Sequence, residues 1–175
     1  MKSLLICGAI VAAASLASAQ SPAATESKTI GGKKIEIKYS SPRVNNRAGK
    51  IFTKDGLISH DQTYPAWRAG ANSATAFHTD ADLNIGGLAV PKGDYTLFVD
   101  LADPINWQLI VNKQTGQSGL DYDKSQDFGR VRMTMSVLKA PLENLKYTLT
   151  DAGGNKGKLE LAWEYHAASV PFTVK

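Results

Sequence analysis

Tyr95-Thr96-Leu97-Phe98-Val99-Asp100-Leu101 decides the fold. Tyr95, Leu97, Val99 and Leu101 alternate with Thr96, Phe98 and Asp100, the periodicity of a strand with one buried face. Phe98 carries apolar surface onto the second face, so this strand is expected near the centre of its sheet. Pro91-Lys92-Gly93-Asp94 forms the turn before it. Asp103-Pro104-Ile105-Asn106 leads on to a strand with Trp107, Leu109 and Val111 inward.

The same alternation extends in both directions. Upstream, Ile35, Ile37 and Tyr39 oppose Glu36 and Lys38, Thr75 to Thr79 is a shorter candidate strand, and Leu83 to Ile85 meets Leu88 to Val90 across Gly86-Gly87. Downstream, Val131, Met133, Met135 and Val137 resume the pattern until Pro141. Leu145, Tyr147 and Leu149 then pair with Leu159, Leu161, Trp163 and Tyr165 across a turn-rich segment from Asp151 to Gly157, and Val170, Phe172 and Val174 close the chain. Only Asp61 to Ala69 has room for a short helix, interrupted by Pro65. The expectation is an all-β chain: an antiparallel β-sandwich or flattened barrel of about eight or nine strands with little helix.

The amino terminus follows a different logic. Lys2, the apolar run Leu4 to Ala14 and Ala17-Ser18-Ala19 have the layout of a secretory signal peptide, residues 1–19, cleaved before Gln20. The run is shorter than the roughly 20 residues of a membrane helix, so an exported chain without a membrane span is expected, in the periplasm or outside the cell. Cys7, the single cysteine, falls inside the signal, leaving the mature chain without a thiol. Residues 20–34, rich in Ser, Ala and Thr, read as a flexible leader, with one sandwich domain over 35–175. The formal net charge of +4 is scattered rather than gathered in a basic stripe, which argues against a nucleic-acid partner.

Several stretches resemble one family. They are Ser41-Pro42-Arg43 with Arg47 and Ile51-Phe52; Trp67-Arg68-Ala69-Gly70-Ala71-Asn72 with Ala74-Thr75; and Ile85-Gly86-Gly87 leading into Val90 to Phe98. Trp107, Asn112 to Gly116, Asp121-Tyr122, Asp127 and Arg130 continue the pattern. Together they are similar to domain of unknown function family 2911 (DUF2911), a group of exported bacterial proteins. The resemblance implies an exported β-rich domain from Ile35 to Lys175 and brings no established activity. Between Phe52 and Trp67 the family carries a compact Gly-Leu-Val-Pro-Tyr-like segment, whereas this chain reads Thr53 to Ala66 with Ser59-His60-Asp61 inside.

Candidate ligand-binding residues lie in the loops. Arg43, Arg47 and Arg68 offer guanidinium forks, Trp67 an indole face and Asn72 an amide, a set suited to a small anion or a glycan if the loops converge. Arginines also tie loops to carboxylates such as Asp121 and Asp127, and that structural reading weighs more. Asp121 and Tyr122 extend the candidate site into the polar stretch from Asn112 to Gly129, the longest interruption in the pattern. Asp121, Asp123, Ser125 and Asp127 alternate like the start of a calcium loop. Gln126 replaces the glycine of that loop and Arg132 its final glutamate, so a solvated acidic turn is preferred and no metal is expected.

Catalytic sets are incomplete. Ser59, His60 and Asp61 are adjacent, and a triad needs side chains brought from separate segments. His60, His78 and His166 have no ligand spacing for zinc, and His78 and His166 are expected on outward strand faces. Glu160 and Glu164, on one strand face, lie about 13 Å apart, too far for a glycosidase pair. Trp107 and Trp163 are expected as core anchors, with Trp67 and Tyr122 left for ligands. The preferred expectation is a non-enzymatic binding module for a small molecule, glycan or envelope partner, without a cofactor. The alternatives are a hydrolase of sugars or esters with residues gathered from distant loops, and a structural or assembly protein of the envelope.

Overall fold

A computed structural model describes residues 20–175; the signal-peptide expectation, with Cys7, lies outside them. Eleven strands run β1 (Ala23–Ile30), β2 (Lys33–Ser40), β3 (Ala66–Trp67), β4 (Thr75–Thr79), β5 (Leu83–Ile85), β6 (Leu88–Val90), β7 (Gly93–Asp100), β8 (Gln108–Asn112), β9 (Asp127–Arg132), β10 (Thr134–Asp151) and β11 (Lys156–Val174). They form a seven-stranded sheet ordered β1-β2-β4-β7-β8-β9, with β3 also on β7, and a four-stranded sheet ordered β10-β11-β5-β6. Neighbouring strands are antiparallel. The chain is thus an all-β sandwich of two separate ladders rather than a closed barrel.

The core lies between the sheets and is built from the alternating residues. Ile35 and Ile37 of β2, Leu97 and Val99 of β7, and Leu109 and Val111 of β8 face Tyr147, Leu149, Leu159, Leu161, Trp163, Val170 and Phe172 of the smaller sheet. Each such side chain contributes about 1.5–3 kcal/mol by leaving water. Phe98 and Ile110 point through the other face of the large sheet, where Ala66, Ala74 and Tyr122 cover them. As the double-sided pattern predicts, β7 is central.

Four expectations need correction. Residues 20–34 are not an irregular leader, because Ala23–Ile30 pairs along its whole length with β2 across Gly31-Gly32, whose φ values of 57° and 74° only glycine adopts freely. Only Ile30 of this edge strand is buried, so main-chain pairing holds it without any alternation to read. The helix expected within Asp61 to Ala69 is instead a 3-10 turn at Ile58–His60 followed by β3. Val137, expected inward, is 81 % exposed on edge strand β10.

The last correction concerns β11. Leu159, Leu161 and Trp163 are buried at odd positions, and Ala168, Val170, Phe172 and Val174 at even ones. The phase changes at Glu164, whose φ of 55° is left-handed and where the register with β10 shifts on both sides of the Leu142 pairing. Past that point the even positions face the core, which carries His166 inward instead of outward.

Candidate functional site

The loop residues chosen from sequence do not share one cleft. Arg43 and Arg47 border a surface hollow beside Gln20, Ser21 and Pro22. Arg43 is ion-paired with Glu143 at 3.3 Å, and Arg47 donates to the carbonyls of Val44 and Arg43 at 2.9 and 2.7 Å. Arg68 and Asn72 border a second, shallow hollow with Ser73, Ser118 and Leu120, and Arg68 leans on Asp61 at 3.4 Å. Trp67 does not floor it. Its indole is fully buried and stacks on Trp163 at 6.0 Å with planes 15° apart.

The polar stretch after β8 is tied down by its own carboxylates. Tyr122 packs on Phe98 at 4.9 Å and donates to Asp127 at 2.8 Å, while Arg130 bridges Asp127 at 2.9 Å and Asp100. Burial and the Asp127 carboxylate push the Tyr122 phenol far above its ordinary range, so it stays a neutral donor. Of the calcium candidates, Asp123 caps Ser125 N–H at 2.8 Å and Asp127 is held by Asn112, Tyr122 and Arg130. Asp121 is exposed. Among the described residues no group of three or more His, Cys, Asp or Glu side chains converges as metal ligands would.

A more enclosed cavity of about 270 Å³ opens elsewhere, lined by Phe52, Thr53, Lys54, Ile58, Ser59, Tyr64, Leu101, Ala102, Pro104, Trp107 and His166. Leu101, Ala102 and Pro104 come from the connection after β7, and Trp107 from just before β8. His166 comes from the part of β11 beyond the phase change. Its ring stacks on Trp107 at 5.5 Å with planes 16° apart, and Phe52 meets it edge-on at 4.9 Å. The wall is therefore aromatic and stiff, with Lys54, Thr53, Ser59, Tyr64 and His166 as its polar groups.

Behind His166 lies Glu164, 1 % exposed. Its Oε1 accepts the N–H of Gly49, and its Oε2 stands 3.2 Å from His166 Nδ1. Nδ1 is sealed from solvent, and at that distance its angle falls short of a hydrogen bond. The adjacent letters Ser59, His60 and Asp61 form no triad. Ser59 Oγ donates to Gly56 O at 2.8 Å, His60 Nδ1 lies 2.8 Å from the same oxygen, and Asp61 turns to Arg68.

The family model described as "Protein of unknown function (DUF2911)" matches residues 21–172. The chain belongs to the DUF2911 family. No curated protein and no solved structure matches it. In this DUF2911 chain the Thr53 to Ala66 segment supplies Thr53, Lys54, Ile58, Ser59 and Tyr64 to the cavity. The match from residue 21 also takes in β1, upstream of the resemblance read from the sequence.

Sequence reasoning missed Phe52, Glu164 and His166 as members of one site. One signal was available: the apolar positions of the last strand change from odd at Trp163 to even at Val170. A strand can do that only through an irregularity, and irregularities of this kind re-aim side chains.

Proposed function

We propose that this DUF2911 protein is an exported binding protein that takes a small, largely uncharged organic molecule into the cavity between Phe52, Trp107 and His166. The export leader at Met1 to Ala19 supports the location. One observation carries the binding reading: a partly enclosed, aromatic-walled space with a few polar groups on its lining, the usual make-up of a ligand site. Its volume of about 270 Å³ falls just below the roughly 300–1,000 Å³ of such pockets, which suits a single ring or a monosaccharide. The apolar floor offers stacking surface. Lys54, Ser59 and Tyr64 offer hydrogen bonds to hydroxyl or carbonyl oxygens.

No helix among the described residues is long and apolar enough to cross a membrane. The test is calorimetric. Glucose, galactose, benzoate, p-cresol and indole are titrated against the protein and against Ala102→Trp, which places an indole on the cavity wall from an exposed position. A ligand held at a hundredfold excess over its dissociation constant raises stability by about 2.7 kcal/mol in the parent protein. The same ligand is expected to do nothing in Ala102→Trp. Equal stabilisation of both proteins by every active compound would place binding elsewhere and defeat the reading.

A further inference from the structure

Glu164 is a costly residue to keep. It is an acid buried to 1 % exposure, and it occupies a left-handed backbone conformation with φ of 55° that disfavours any side chain bearing Cβ. Backbone outliers of this kind gather at functional sites, where surrounding structure holds them in place. What this one achieves is visible in the cavity. The carboxylate is anchored through Oε1 by Gly49 N–H and presents Oε2 to His166 Nδ1.

When the 3.2 Å gap closes to a hydrogen bond, Nδ1 is the donor, because a carboxylate only accepts. In the neutral ring Nε2 then carries the lone pair. Nδ1 is sealed while the side chain is 32 % exposed and lines the cavity, so the ring edge open to a ligand is the one bearing Nε2. Trp107 on one face and the edge of Phe52 hold the ring's orientation. The oblique 3.2 Å approach of Nδ1 to Glu164 is the loose geometry that catalytic pairs show when empty and that tightens on substrate binding.

We infer that His166 is a general base, positioned by Glu164, and that the cavity hydrolyses small uncharged carboxylic esters. The inference rests on the binding reading above and names the substrate class of the same site. The lining fits that class. It has no carboxylate, whereas acetal hydrolysis calls for two carboxyl groups facing the sugar, and Lys54 meets the oxyanion that develops on an ester carbonyl. In the reaction, a water oxygen forms a bond to the ester carbonyl carbon as His166 Nε2 takes its proton. The tetrahedral intermediate collapses by breaking the carbon–oxygen bond to the alcohol, and His166 returns the proton to the departing oxygen. Carboxylic acid and alcohol are the products, and the base is regenerated. Lys54 and Tyr64, on the same lining, are donors available to the developing oxyanion.

The experiment measures steady-state hydrolysis of p-nitrophenyl acetate and phenyl acetate by the purified protein, by His166→Ala, by Glu164→Gln and by His78→Gln, whose imidazole lies outside the cavity. Expected are many turnovers by the parent protein and by His78→Gln, and a loss on the order of 10²–10⁴-fold in kcat for His166→Ala. Free imidazole is expected to restore part of that activity. Glu164→Gln should lower kcat while leaving KM unchanged, because Glu164 acts through His166 and does not touch the ester.

Equal rates for the parent protein and His166→Ala would overturn the inference, and ligand binding blocked by Ala102→Trp would still stand beside that result. Should His166→Ala fail to fold, the ¹⁵N spectrum of the parent protein decides. Protonated Nδ1 with a bare Nε2 is expected in the neutral ring, and the opposite tautomer overturns the assignment.

Discussion

Two aromatic pairs in this molecule have nearly the same geometry and opposite surroundings. Trp67 and Trp163 stack with planes 15° apart, and Trp107 and His166 with planes 16° apart. Phe52 touches all four rings, at 5.2, 5.8, 4.9 and 4.9 Å respectively. The first pair is sealed on every side by both sheets. The second ends at a cavity, because His166 arrives there only after Glu164 has shifted the phase of β11. The same packing chemistry thus serves stability at one end of the cluster and leaves a shaped space at the other. Position in the sandwich, not residue type, separates the two roles.

The comparison breaks most visibly at its sealed end. Trp163→Ala or Trp67→Ala removes a fully buried ring from contact with its partner and with Phe52, and is expected to cost about 3–5 kcal/mol in denaturant unfolding. Ala102→Trp, at the open end, is expected to stay within about 0.5 kcal/mol of the parent protein, since it changes an exposed residue. Similar losses from both would mean that the open end is as tightly packed as the sealed one.

Glu164 lies between the two ends and gives a sharper test. Replacing it by alanine leaves the Gly49 N–H without its acceptor, an expected cost of about 1–3 kcal/mol. Glycine makes the same deletion but accepts the left-handed backbone. Glu164→Gly should therefore be the more stable of the two by about 1 kcal/mol, the reverse of the usual order within a strand. If alanine proves the better replacement, the backbone at this point carries no strain and the phase change has another origin.

How much of this was legible in the sequence follows from what each signal reports. Alternation reports side chains that leave water, so β2, β7, β8 and the Tyr147 to Leu161 ladder could be read directly, as could the Gly86-Gly87 hairpin. It says nothing of main-chain pairing, which is why β1, with Ile30 as its one buried residue, reads as a leader. Loop residues were chosen for chemistry alone, and chemistry does not place them. Trp67 was claimed by the core, Tyr122 by Phe98 and Asp127, and the arginines by neighbouring carboxylates and carbonyls in separate hollows. The cavity needed Phe52, Trp107 and His166 from distant parts of the chain, and only the odd-to-even switch in β11 hinted at the last of them.

The smallest expected effect separates the two imidazoles that the sequence treated alike. His78 stands on β4, on the outer side of the large sheet, with Nδ1 2.7 Å from Asp94 on β7 and Nε2 2.9 Å from Asp80. Glu36 of β2 is its cross-strand partner, and Lys34 and Lys38 pair with that glutamate. The hydrogen bonds to Asp80 and then Asp94 raise the His78 pKa above its ordinary value of 6.5, while partial burial opposes them. The bond to His78 lowers that of Asp80. A raised imidazole pKa means that the stabilisation is fully present below about pH 6.5 and fades as pH climbs through the folded-state value. A lowered carboxylate pKa means the opposite at the acid end, with stabilisation lost as Asp80 takes up its proton below about pH 4. The melting temperature of the parent protein minus that of His78→Gln should therefore be greatest between about pH 4.5 and 6.5 and shrink towards alkaline pH. Because the imidazole is more than a third exposed, the whole effect should stay within about 0.5 kcal/mol and weaken with salt. A difference that is flat with pH would mean that the two carboxylates do not hold His78 in solution.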